Sequence, residues 1–344
     1  MFKSLLVVIV LSFGLSLSYA QSLDSSSYFF QKGMEEKNAR KYREAEKNFV
    51  KAHQQAPDNF EILVELANAY IAQNRYAEAR EKYLRADQLK SNDGAVTEKL
   101  ATLSFNLRKW DDAIKYAEKS QRLQPNKSVS FIIGKSYYEQ ENYGEAVKHL
   151  QMAAKEEPVR AEIPYILGRS YLDMSNYKQS AGFFEKAISL DSSKVNWIYE
   201  AGLVFYAIPD YKKSLTYIEL AGAKGYKKSN DYLENLGNAY INVKEYDKGI
   251  EVLKEVMKRK PSDQELIYQV AQAYFKAKKY QEAIDTWDIV LGLDKTNANV
   301  LYMIGLSYQK KGEKAKGQQL CDKAIEMDPS LNSLRQKQDM GMGL

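Results

Sequence analysis

The chain has 344 residues, 44% hydrophobic and 28% charged, with 50 Lys plus Arg against 45 Asp plus Glu. The formal charge is +5 and both signs are interspersed throughout, which excludes the basic stripe of a nucleic-acid binder. The only cysteine is Cys321, so no intramolecular disulfide is possible.

Met1–Ala20 reads as a signal peptide. Lys3 gives a positive start, Leu5–Leu17 an apolar core, and Ser18-Tyr19-Ala20 a small-residue cleavage site before Gln21. The apolar core is short for a bilayer span, so the mature chain is expected to be exported without a membrane span.

From Ser26 onward a period of about 34 residues takes over. A small residue recurs at Gly33, Ala67, Ala101, Gly134, Gly168, Gly202, Gly237, Ala271 and Gly305. Twelve residues after each lies a second small residue: Ala45, Ala79, Ala113, Ala146, Ser180, Ser214, Gly249, Ala283 and Gly317. Seven further on comes a third series: Ala52, Ala86, Ser120, Ala153, Ala187, Ala221, Val256, Val290 and Ala324. A fixed period of this size marks a repeat array. Within each repeat the apolar spacing predicts two helices. Ile62, Leu63, Leu66, Ala67 and Tyr70 form one stripe. Gln73-Asn74-Arg75 breaks it, and Tyr76, Ala79, Tyr83, Ala86 and Leu89 form the next. The small residues mark helix crossings, where one short side chain lets a bulky one fill the space opposite. No repeat sustains the period of two that a strand requires. Trp287 and Cys321 fall at a bulky second-helix position and are expected to be core, Cys321 as a small hydrophobe.

These residues resemble the tetratricopeptide repeat: small residues separated by 12 and 7, an aromatic nine after the first, and a late proline. The aromatic is Tyr42, Tyr76, Trp110, Tyr143, Tyr177, Tyr211, Tyr246 and Tyr280, replaced in the ninth repeat by Lys314. The proline is Pro57, Pro125, Pro158, Pro261 and Pro329. Repeats are expected to start near 26, 60, 94, 127, 161, 195, 230, 264 and 298, an array spanning 21–331, with a short tail over 332–344. The sixth repeat lacks the proline, has Gly222 and Gly225, and is one residue longer. Gly222–Asn230 is therefore either a hinge or, the preferred reading, an ordinary loop variant.

The resemblance implies an all-α, right-handed superhelical solenoid of about nine helix pairs. It also implies that positions two, five, nine and twelve of each first helix line a concave groove. The candidate groove residues are Phe131, Lys135, Tyr138, Tyr165, Arg169, Tyr199, Tyr206, Asn238, Tyr268, Gln272, Phe275 and Tyr302. Rings give contact area at low entropy cost and amides bond a ligand's backbone, which suits an extended peptide or a partner helix. Some of the rings have a second reading, as packing against the neighbouring first helix.

No phosphate loop, nucleophile elbow or triad can be assembled, so no enzyme and no cofactor are expected. His53 and His149 stand about three repeats apart, without a cysteine or carboxylate cluster at ligand spacing, so no metal site is expected. The expectation is a non-catalytic scaffold, exported and resembling periplasmic tetratricopeptide proteins of Gram-negative bacteria. The partner is expected to be a protein or peptide, not nucleic acid, with self-association or glycan binding as alternatives.

Overall fold

Five of the first helices begin at a side chain that accepts a backbone N–H. Asn59, Asp93, Asp263 and Asn297 do this through Oδ1, to Ile62, Val96, Leu266 and Val300, at 3.0–3.1 Å. Ser229 does it through Oγ to Tyr232 at 3.3 Å. Each satisfies a donor that the first turn of a helix leaves unpaired. The fourth repeat has no such cap. Its first helix starts only at Ser130, and Val129 offers no side-chain acceptor.

The computed structural model describes residues 25–339. The expected signal peptide lies outside them. In chain order the helices are α1 (25–38), α2 (Tyr42–Gln55), α3 (Phe60–Ile71), α4 (Tyr76–Leu89), α5 (Gly94–Asn106), α6 (Trp110–Leu123), α7 (Ser130–Glu139), α8 (Tyr143–Glu156) and α9 (Glu162–Asp173). There follow α10 (Tyr177–Leu190), α11 (Val195–Ala207), α12 (Tyr211–Ala223), α13 (Asn230–Asn242), α14 (Tyr246–Arg259), α15 (Gln264–Lys276), α16 (Tyr280–Leu293), α17 (Ala298–Lys311) and α18 (Lys314–Met327). After the 3-10 turn Pro329–Leu331, α19 (Asn332–Asp339) closes the described chain. The fold is an all-α solenoid of helix pairs, with no strand among the described residues. Odd-numbered helices are first helices and even-numbered ones second helices. Among the described residues no helix is long and apolar enough to cross a membrane.

The described residues form two compact units, divided between Asn176 and Tyr177. The N-terminal unit holds α1–α9 and the C-terminal unit α10–α19. Within each, the second and third small-residue series are completely or almost completely buried. The first series faces a bulky partner. A Cβ on Gly237 would lie 2.6 Å from Leu253 Cγ, and the wider Ala271 shares a core with Trp287. The turn between paired helices takes one left-handed residue, at Asn74 (φ +59°), Arg108 (+55°) and Lys278 (+62°), with Gly312 (+106°) in the ninth repeat. That residue reverses the chain tightly enough to bring the second helix back onto the first.

Three glycines inside helices meet nothing that an added Cβ would touch: Gly144, Gly182 and Gly292. Gly182 lies inside α10 and is exposed. Gly182→Ala should therefore stabilise the C-terminal unit by about 0.5–1 kcal/mol, through reduced freedom of the unfolded chain and better helix propensity. A urea unfolding curve followed by circular dichroism checks this, and a loss of stability would contradict it.

The segment Gly222–Asn230 is pinned by tyrosines. Tyr226 stacks on Tyr199 with ring centroids 4.3 Å apart, and Tyr232 Oη donates to the Ile218 carbonyl at 3.2 Å. A Cβ on Gly222 would sit 2.0 Å from Tyr232 Oη, so this glycine is a close-approach residue.

Cys321 is 2% exposed, and burial pushes its thiol up to about 11, as a buried hydrophobe requires. His53 and His149 each bury an Nδ1 that has no hydrogen-bond partner among the described residues. Burial, and then Lys82 and Lys148 respectively, hold both imidazoles below the ordinary histidine value. A depressed histidine pKa means the fold prefers the neutral ring. That stability is complete above the unfolded value and is lost as pH falls below it. The double variant His53→Gln, His149→Gln should lose less stability than the parent between neutral and mildly acidic pH. Equal pH profiles in urea titrations would refute this.

Candidate functional site

Two sets of side chains occupy the groove positions, one in each unit. In the N-terminal unit, α5, α7 and α9 supply Phe105, Phe131, Lys135, Tyr138, Tyr165 and Arg169. Phe131 is 4% exposed because the Arg160 guanidinium lies over its ring, 3.4 Å from the centroid. Arg160 comes from the short linker between α8 and α9. It is held there by Glu157 Oε2 at 3.1 Å and Glu162 Oε2 at 3.3 Å. Lys135 Nζ is 2.5 Å from the other oxygen of Glu162 and 5.9 Å from the Phe131 centroid. The charges of this patch are thus largely spent on one another. Tyr138 Oη donates to Asp173 Oδ2 at 3.3 Å. Burial above all pushes its phenol up to about 12; Asp173 acts in the same sense and Arg169 against it. Tyr165 and Arg169 are half-buried.

In the C-terminal unit, α11, α13 and α15 supply Tyr199, Tyr206, Asn238, Tyr268, Gln272 and Phe275. Tyr206 is 40% exposed; its Oη accepts from Asn242 Nδ2 at 3.2 Å and its ring meets Tyr211 edge-on at 5.5 Å. Tyr268 and Phe275 rest on Trp287, with centroids 6.1 and 5.8 Å away, and keep half-exposed faces. Burial raises the Tyr268 phenol, against a hydrogen bond with Asn299. Asn238 and Gln272 occupy the ninth position of successive first helices. Both are half-buried, and neither side-chain amide has a hydrogen bond among the described residues.

Three candidate residues do not present surface. Tyr302 is 1% exposed, in the core that also holds Leu331 and, partly buried, Leu334. Tyr199 is 8% exposed under Tyr226, and Asn235 Nδ2 donates to its oxygen at 2.7 Å. Phe131 lies under Arg160. Each is covered by residues outside the first-helix register. Tyr226 and Arg160 sit in linkers between repeats, and Tyr226 falls in the one repeat with an extra residue. Among the described residues, no group of His, Cys, Asp and Glu is placed to hold a metal ion.

Known proteins repeat this architecture. Tetratricopeptide repeat profiles match residues 38–103 and 298–331. The profile for anaphase-promoting complex, cyclosome, subunit 3 matches 106–187 and 209–288. No curated protein matches the chain. Among solved structures, YrrB, described as a TPR protein with an unusual peptide-binding site, is 23% identical. That match covers 55% of this chain and 97% of YrrB, with a TM-score of 0.45. MamA from Desulfovibrio magneticus RS-1 is 17% identical over 49% of this chain and 97% of its own, with a TM-score of 0.45. The Cut9–Hcn1 tetramer of the APC/C is 15% identical over 77% of this chain and 52% of its own, with a TM-score of 0.38. With the small-residue series buried within each unit and the repeat profiles matching at both ends of the array, the chain belongs to the tetratricopeptide repeat proteins.

Proposed function

We propose that this chain is a non-catalytic scaffold that binds a protein or peptide along the first helices of its C-terminal unit. The observation that carries the reading is the pair of unspent amides, Asn238 and Gln272, beside the exposed or half-exposed rings of Tyr206, Tyr268 and Phe275. An extended peptide has one donor and one acceptor per residue, and a side-chain amide answers both. The rings supply apolar contact with few torsions to freeze. In the N-terminal unit the equivalent charges already pair internally, so that patch offers less.

Photo-crosslinking from position 206 tests the reading, because Tyr206 is exposed whereas Tyr199 is covered. A probe on the exposed Ile289 of α16 is the control. A discrete partner captured from 206 and not from 289 is the expected result. Capture of nothing, or equal capture from both, overturns it. Capture of a second copy of the chain from 206 would replace the scaffold by self-association.

We further propose that the scaffold acts after export, in the periplasm, in cell-envelope assembly or secretion. The support is the charge and apolar pattern of Met1–Ala20. The chain recovered from cells should then begin at Gln21 by intact-mass measurement. A chain that keeps Met1–Ala20 would refute export by this route.

A further inference from the structure

The ninth repeat places Lys314 where the other eight have an aromatic ring. Lys314 and Lys316 stand in the first turn of α18, which holds no acidic residue. A helix start favours negative charge, and α2, α4, α6, α8, α14 and α16 each carry Asp or Glu there. Lysines at this end do nothing for the helix itself. Lys316 lies over the Tyr308 ring, 3.7 Å from its centroid. Lys314 is exposed and has no ion pair among the described residues.

The neighbouring turns add to this charge. Lys276 and Lys278 of the eighth repeat and Lys310 of the ninth are also exposed, with no ion pair among the described residues. Residues 276–282 and 310–316 together hold seven lysines and two glutamates. The turns of successive repeats lie side by side. Lys279 Nζ is 2.6 Å from Asp247 Oδ1 in the turn of the seventh repeat, and Lys311 Nζ donates to Gln281 Oε1 in that of the eighth at 2.8 Å. The free lysines therefore share one edge, although charges of both signs alternate along the sequence. Linkers between repeats lie at the other end of the helices, about 20 Å away for the 13 residues of α15. There Lys224, Lys227, Lys228 and Lys295 stand among Asp231, Asp263, Asp294 and Asp328.

An excess of exposed ammonium groups on one edge is complementary to an anionic surface. Each is a compact, hydrated charge on a flexible stem, which suits a diffuse layer of headgroups. Neither segment holds an arginine, the residue that grips single phosphates or carboxylates through paired hydrogen bonds. Tyr280 meets Phe275 edge-on at 5.6 Å and Tyr308 lies under Lys316, so neither ring is free to stack on a nucleic-acid base.

We propose that the turn edge of the eighth and ninth repeats rests on an anionic lipid surface, through Lys276, Lys278, Lys310 and Lys314. This holds the chain at a membrane without a spanning helix. The inference goes beyond the peptide-binding reading and does not depend on it.

The test is co-sedimentation of the mature chain with vesicles of phosphatidylcholine, alone or with about 30% phosphatidylglycerol. Binding should require phosphatidylglycerol and should fall at least about tenfold between about 0.05 M and about 0.3 M salt. Each lysine near an anionic surface is worth about fivefold in binding. The variant Lys276→Gln, Lys278→Gln, Lys310→Gln, Lys314→Gln should therefore bind at least about thirtyfold more weakly at about 0.1 M salt. The same four changed to arginine should bind like the parent. The variant Lys224→Gln, Lys227→Gln, Lys228→Gln, Lys295→Gln removes equal charge from the linker edge. It should lose less than about threefold, because charge about 20 Å away lies beyond a Debye length of about 10 Å. No binding, binding that ignores phosphatidylglycerol, or equal losses from the two glutamine variants overturns the proposal. Tighter binding to fluorescein-labelled polyglutamate than to the vesicles, lost with the same four lysines, would also overturn it and put an acidic protein segment in place of the lipid.

Discussion

Replacing Trp287 by alanine should lower the stability of the C-terminal unit by about 3–5 kcal/mol, the usual cost of emptying a large aromatic site. Trp287 is 0% exposed, the largest of the fully buried side chains. It fills the space opposite Ala271, and Tyr268 and Phe275 rest on it. Helix backbones cannot collapse into that space without losing their own ladders, so the cavity persists. The indole Nε1 has no acceptor among the described residues, so no hydrogen bond is lost with it. The effect is therefore one of volume, and Trp287→Phe should recover more than half of it. Urea unfolding followed by circular dichroism measures both variants. Equal losses for Phe and Ala would defeat the packing account. Because Tyr268 and Phe275 lean on the indole, the alanine variant should also weaken partner capture from position 206.

Gly317→Ala should cost about 1–3 kcal/mol, although alanine is the better helix former by about 1 kcal/mol. The steric term wins because the obstacles are backbone atoms. An added Cβ would lie 2.5 Å from the Gly305 carbonyl oxygen and 2.7 Å from the Gln309 nitrogen. Neither can swing aside as the end of a side chain can, so α17 and α18 must part. Gly305 on α17 faces the same crossing, with the Gly317 carbonyl oxygen 2.8 Å from its own missing Cβ. The comparison with Gly182→Ala isolates the cause: the same chemical change, opposite signs, decided by what stands within reach. If Gly317→Ala proved stabilising, the close crossing of α17 and α18 would be wrong.

The period of the small residues was legible because a helix crossing tolerates nothing else there. Buried Ala45, Ala79 and Ala113 and the matched pair Gly305 and Gly317 follow from that single requirement. The turns were legible too, since Gln73-Asn74-Arg75 breaks an apolar stripe and Asn74 adopts the left-handed conformation. The candidate site was legible only where first helices decide it. Tyr206, Asn238, Tyr268, Gln272 and Phe275 keep exposed or half-exposed surface in their expected positions. Phe131, Tyr199 and Tyr302 do not, because Arg160, Tyr226 and the segment around Leu331 cover or surround them. Those residues lie between repeats or beyond the ninth, where the 34-residue period carries no information. The extra residue of the sixth repeat was visible, but a change in spacing does not reveal which side chain the longer linker will set down on its neighbour.

The principal helix contacts within each unit join chain neighbours, with a few to the next helix but one, as between α5 and α7. No segment has to wait for a distant one before it can bury its apolar stripe. Folding speed should then be set by one or two helix pairs rather than by the length of the chain, because closing short loops costs little entropy. A chain of this kind can nucleate at any repeat and grow in either direction, and a cut through it leaves pieces that retain their own cores.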